Sequence, residues 1–118
     1  MYGLPPDVDF SFFTGKTLLQ ICIGAHDLIL NFDGSIAVTV VSSINCTTPG
    51  GQHQTYENFQ QAAAFAANLV NKVVVTAHGD PAGTLTLEFH GGDRLSIFDD
   101  SKHYESYTVK AGNRMIVV

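Results

Sequence analysis

The sequence predicts an α+β fold that is mainly β: two antiparallel three-strand meander repeats form a bent sheet or half-open barrel, covered by one central helix. Three observations predict it. Short apolar runs alternating with period two recur along the chain, and only one segment has helical spacing. The stretch GKTLLQICIGAHDLILNF also reads in parallel with NKVVVTAHGDPAGTLTLEF further on, each closing a β-run with Ala-His and ending an alternating strand in Phe. A chain of 118 residues is enough for one core, so a single domain over 1–118 is expected.

Residues 1–13 read as an N-terminal arm, because Pro5 and Pro6 remove backbone donors and disfavour helix before them. Tyr2, Phe10, Phe12 and Phe13 make the arm aromatic, fit either to anchor a partner or to plug the open end of the sheet. Residues 15–47 hold the first meander. Leu28, Leu30 and Phe32 share one face, Asp33-Gly34 signals a two-residue hairpin turn, and Ile36, Val38, Val40 and Ile44 continue as one long strand. The loop 47–52 leads to a helix over 56–71, where Phe59, Ala62, Ala63, Ala66, Leu69 and Val70 form one stripe, Thr55 caps the start and Asn71 stops the end. Residues 72–118 are read as the second meander plus a C-terminal hairpin, for a total of eight strands.

Composition narrows the function classes. Only 14% of residues are charged, against a usual value of about 25%, so apolar surface is left over for a partner and a homo-oligomer, a dimer first of all, is expected. The six basic residues never cluster and the formal charge is −5, which disfavours nucleic acid, whose recognition needs a positive stripe. No apolar run approaches the roughly 20 residues that span a bilayer, and the N-terminal sequence does not read as a secretory signal. A cytoplasmic address with no membrane partner is therefore expected, with Cys22 and Cys46 reduced.

The candidate chemistry is sparse. His26 with Asp27, and His78 with Asp80, occupy corresponding turns of the two halves, so pseudo-symmetry would bring two imidazoles and two carboxylates together as a metal or acid–base site. No His-x-His or Cys-x-x-Cys spacing supports a metal, and no cofactor is expected. The acidic residues Asp93, Asp99, Asp100 and Glu105, with Tyr104 and Tyr107, form a candidate contact patch for a basic partner, although turn-forming aspartates explain the first three as well. Thr14-Gly15-Lys16-Thr17 imitates the end of a phosphate loop, but Phe10 stands where that loop needs glycine and a strand follows. No serine sits in a nucleophile elbow.

The Gly15-Lys16 and Asn71-Lys72 strand openings, the Tyr-Glu-Ser-Tyr run at 104–107 and the closing Ile116-Val117-Val118 resemble an uncharacterised family of small bacterial β-rich proteins with two internal repeats. That resemblance implies a bacterial cytosolic origin and, loosely, immunity or defence neighbours; it implies no catalytic residues. The leading expectation is a non-enzymatic protein-interaction domain, in its sharpest form an immunity-type inhibitor. A small enzyme or metal-binding domain using the His/Asp turns, and a barrel for a small apolar ligand, are the alternatives.

Overall fold

The computed structural model describes Leu4, residues 8–102 and residues 105–118. Among the described residues a 3₁₀ turn, Ser11–Phe13, leads into ten strands: β1 (Leu18–Ile23), β2 (Leu28–Phe32), β3 (Ile36–Val40), β4 (Ile44–Thr47), β5 (His53–Tyr56), β6 (Val74–Gly79), β7 (Leu85–Phe89), β8 (Arg94–Ile97), β9 (Tyr107–Ala111) and β10 (Arg114–Val117). One short helix, α1 (Ala63–Asn68), falls between β5 and β6. Among the described residues no helix is long and apolar enough to cross a membrane.

The strands form two five-stranded antiparallel sheets, ordered β1-β2-β3-β9-β10 and β5-β4-β8-β7-β6. Their alternating inward residues meet in one core that includes Leu30, Val38 and Val109 from the first sheet and Ile44, Leu87 and Ile97 from the second, each fully buried. This corrects the expected architecture. The halves before and after the helix are not self-contained meanders making one bent sheet or half-open barrel, because β9 and β10 join the first sheet while β4 and β5 join the second. The expected long strand hides the reason: Val40 and Ile44 lie an even number of residues apart, so apolar alternation runs unbroken through Val41–Ser43, where the chain changes sheets.

The central helix is corrected too. Tyr56 pairs with Ile44 and Thr55 with Asn45, so the segment read as a helix start belongs to β5. Thr55 is no cap; its hydroxyl accepts a hydrogen bond from the Asn45 amide at 2.8 Å. Asn58 instead holds the turn ahead of α1, its side-chain oxygen accepting from the backbone N–H of Gln60 (2.9 Å) and Gln61 (3.3 Å), while α1 itself begins after Ala62 without a side-chain cap. Turns fill residues 59–62, regular helix is confined to Ala63–Asn68, and Asn71, at φ 76°, turns the chain out. Tertiary pairing of β5 has overridden local helix propensity.

The sheets are stitched where β1 and β6 begin. Thr17 and Val73 form an antiparallel bridge, flanked by hydrogen bonds from Val74 N to Lys16 O (2.8 Å) and from Asn71 N to Leu18 O (2.8 Å). Asp33 locks this end by accepting the Thr17 N–H at 2.9 Å, in a three-residue Asp33-Gly34-Ser35 turn, where two residues were expected; Gly34 and Ser35 have φ of 74° and 62°. Of the aromatic arm, Phe10 and Phe13 are buried, and Phe13 meets Phe32 edge-on at 5.3 Å, so these rings plug the core. Tyr2 lies outside the described residues.

Tyr107 ties the sheets from within. Its ring is 1% exposed and its hydroxyl donates to the Gly83 carbonyl at 2.6 Å. Gly83 has φ +99°, and a Cβ there would sit 2.7 Å from the Cβ of Asp99, so only glycine lets this turn approach so closely. Tyr107→Phe leaves that carbonyl unpaired in the core and is expected to lower stability by about 1–2 kcal/mol, read as a lower urea midpoint at unchanged slope.

Candidate functional site

Beside the end of β3, where the chain leaves the first sheet, a cleft of about 570 Å³ opens. Each wall comes from a different part of the chain. The β1–β2 turn contributes Ala25 and His26; the segment after β5 contributes Glu57, Asn58 and Phe59. Thr39 and Thr108, directly paired across β3 and β9, lie along one side, and Val41 and Tyr107 supply apolar surface. Ser101 and Glu105 complete it from the loop between β8 and β9. A smaller hollow of about 170 Å³ adjoins it, sharing Val41, Glu57 and Ser101 and adding Ser43 and Asp100.

The β8–β9 loop is held by its own polar side chains. Ser106, fully buried, donates through its hydroxyl to Asp99 Oδ1 (2.6 Å) and accepts there from the Ser101 N–H (3.1 Å). Asp100 takes the Ser43 N–H at 3.1 Å on Oδ1 and the Ser43 hydroxyl on Oδ2. Among the described residues the acidic and imidazole side chains facing the cleft are His26, Glu57 and Glu105, all exposed, and no Lys or Arg lines it. Among the described residues, His26 makes no hydrogen bond to either glutamate. The cleft thus presents two carboxylates over a partly apolar floor, within the roughly 300–1,000 Å³ typical of ligand pockets.

Comparison with known families places the sequence: a family of unknown function, DUF6188, matches residues 12–118. The chain belongs to that family. Nothing among curated proteins matches the chain, and nothing among solved structures does. An uncharacterised family was the expectation; the match carries neither a source nor an activity for DUF6188.

In this DUF6188 chain the two His/Asp turns belong to different sheets. From the antiparallel Thr17–Val73 bridge, β1 and β6 run in opposite directions, which carries His26–Asp27 and His78–Asp80 away from each other. Among the described residues no group of three His, Cys, Asp or Glu is close enough to hold a metal. His78 is exposed opposite Thr86, while Asp80 accepts the Thr84 N–H at 3.0 Å within its turn. In the other turn the Asp27 carbonyl accepts from Gly24 N at 2.9 Å.

The acidic patch is divided by burial. Asp93 is 1% exposed and pairs with Lys72 at 2.5 Å, its second oxygen having no hydrogen-bond partner among the described residues. Asp93 therefore serves the interior, Tyr107 is buried between the sheets while its ring also lines the cleft, Asp99 and Asp100 fasten the loop, and Glu105 faces the cleft; Tyr104 lies outside the described residues. Sequence reasoning missed Glu57, Asn58, Phe59 and Thr39. Asn58 three residues before Gln61 was the available signal, since that spacing starts the turns after Glu57 and leaves Glu57 outside them.

Two predictions follow from these buried groups. Lys72→Met strands the Asp93 carboxylate; because Lys72 is itself 31% exposed, the expected loss is about 2–3 kcal/mol, below the full value for a buried pair. Asp93→Asn in that background recovers part of it, measured by urea unfolding. Burial pushes the Cys46 thiol up from 9.0 to about 12, and burial followed by the Asp80 charge raises the Tyr107 phenol. The folded state keeps protons the unfolded chain releases, so stability is held below about pH 9 and falls as pH rises from there toward about 12. Urea midpoints across that window check the slope, and Cys46→Ala flattens its lower part.

Proposed function

We propose that this protein is a non-enzymatic interaction domain whose cleft receives a cationic side chain, lysine or arginine, from another protein. The observation that carries the reading is the lining: the carboxylates of Glu57 and Glu105 with Val41, Phe59 and Tyr107, and no Lys or Arg among the described cleft residues. An aliphatic stem would lie on the apolar floor while its charge met the carboxylates. The overall charge of −5 steers a basic partner the same way. An immunity-type inhibitor, covering a basic surface of its target, is the narrowest form of this reading, and the same charge balance supports it. Two free cysteines, Cys22 and Cys46, fit the reducing compartment that goes with it.

Ion pairs at an exposed rim are individually weak, about 0.2–1 kcal/mol each, so neither glutamate dominates alone. Titration with short Arg- and Lys-containing peptides, followed by NMR, is expected to shift the amide signals of Thr39, Val41, Asn58 and Thr108. Glu57→Gln or Glu105→Gln weakens binding up to about five-fold, the double variant up to about twenty-five-fold, and added salt weakens the wild type toward the double variant. Absence of cleft shifts with every basic peptide, or shifts indifferent to the double variant, removes the reading.

A further inference from the structure

We propose that β1 is a pairing edge for β1 of a second copy of this chain, joining the first sheets of two molecules antiparallel about a two-fold axis at Cys22. Beyond the Thr17–Val73 bridge, no strand lies beside the outer edge of β1 among the described residues. Although α1 approaches β1, Leu19, Gln20, Cys22 and Ile23 remain exposed. The backbone identifies what fits there. Gly24 N donates to Asp27 O at 2.9 Å, and antiparallel bonding alternates from that pair, so Cys22 and Gln20 turn their amides toward β2 while Ile21 and Ile23 point theirs outward. Unpaired donors and acceptors at strand spacing are completed by another strand.

The side chains identify the strand. Ile21 and Ile23 lie on the core-side face of the first sheet, opposite Leu30 and Leu28, whereas Cys22 lies on the outer face, 3.9 Å from the Asn31 amide. In the proposed register Ile21 of one copy faces Ile23 of the other, each exchanging its outward N–H and C=O, and Cys22 faces Cys22. That register uses the regular part of β1 and avoids the irregularity between Leu18 and Gln20. Charge agrees: no Asp, Glu, Lys or Arg occurs between Lys16 and Asp27, so two molecules of −5 meet where neither carries charge, with the basic end of one β1 beside the acidic end of the other. The other edges are less open to this: β5 is polar, β10 starts at Arg114, and β6 is flanked by the Ser11–Phe13 turn, with Leu4 and Phe10 packed on Gly79. This inference stands apart from the cleft reading, since no β1 residue lines the cleft.

Light scattering of the full chain is expected to give a pair that dissociates on dilution. Ile23→Lys, at a position already exposed, and Cys22→Arg, on the opposite face, are each expected to give the single-chain mass with an unchanged circular dichroism spectrum. Facing Cys22 residues form a non-hydrogen-bonded pair about 4.5 Å apart at Cα, within the roughly 4.4–6.8 Å a disulfide accepts. Diamide, taking up the two thiol protons and two electrons, therefore links the wild type covalently, and links Ile23→Lys much more slowly although that variant keeps Cys22. A single-chain mass at all concentrations, pairing unaffected by both substitutions, or capture of a different protein's strand by a monomeric chain overturns the proposal.

Discussion

Ser106 is the residue on which the rest of the structure depends. Fully buried, it donates its N–H to the Val118 carbonyl at 2.6 Å, and its own carbonyl accepts the N–H groups of Val41 (2.9 Å) and Ser42 (3.2 Å). Its hydroxyl holds Asp99 and receives Ser101. These bonds meet where the chain must change sheets. Burying the inner faces of two sheets against each other obliges β3 and β4 to lie on opposite sides of one core, and the connecting backbone would otherwise leave its amides unpaired. Ser106 pairs them, and in doing so fixes the loop that carries Ser101 and Glu105 into the cleft.

The polar interior is economical but incomplete. Tyr107 and Gly83 satisfy each other, and Lys72 reaches one oxygen of Asp93. The other Asp93 oxygen and the Ser42 hydroxyl are buried with no hydrogen-bond partner among the described residues. An unmet buried polar atom costs about 1–3 kcal/mol. Both lie beside structurally demanding points, the seam between the sheets and the sheet change, which suits groups kept for geometry rather than for stability.

Much of the fold was legible, strand by strand. Leu28, Leu30 and Phe32, and Leu85, Leu87 and Phe89, announced buried faces by alternation alone, and those faces are buried. Partners were not legible, because alternation records which face a side chain takes and says nothing of the neighbouring strand. Hence the even spacing of Val40 and Ile44 concealed a change of sheet, and Tyr56, at helical spacing from the alanines, proved to be the end of a strand. The site suffered more. His26 and Glu105 were singled out and do face one cleft, but Glu57 and Thr39 reach it only through pairings of β4 with β5 and β3 with β9 that join distant parts of the chain. The two His/Asp turns were brought together on paper by assumed symmetry; the antiparallel sense of the Thr17–Val73 bridge sends them apart.

Native-state hydrogen exchange at the amides of Val41 and Ser42 tests the role of Ser106 most directly. Val41 is 44% exposed, so solvent access alone predicts rapid exchange. If the Ser106 carbonyl holds the change of sheet, both amides exchange slowly, with opening free energies close to those of β3 and β9. Exchange at the rate of an open loop, while β3 stays protected, would contradict it.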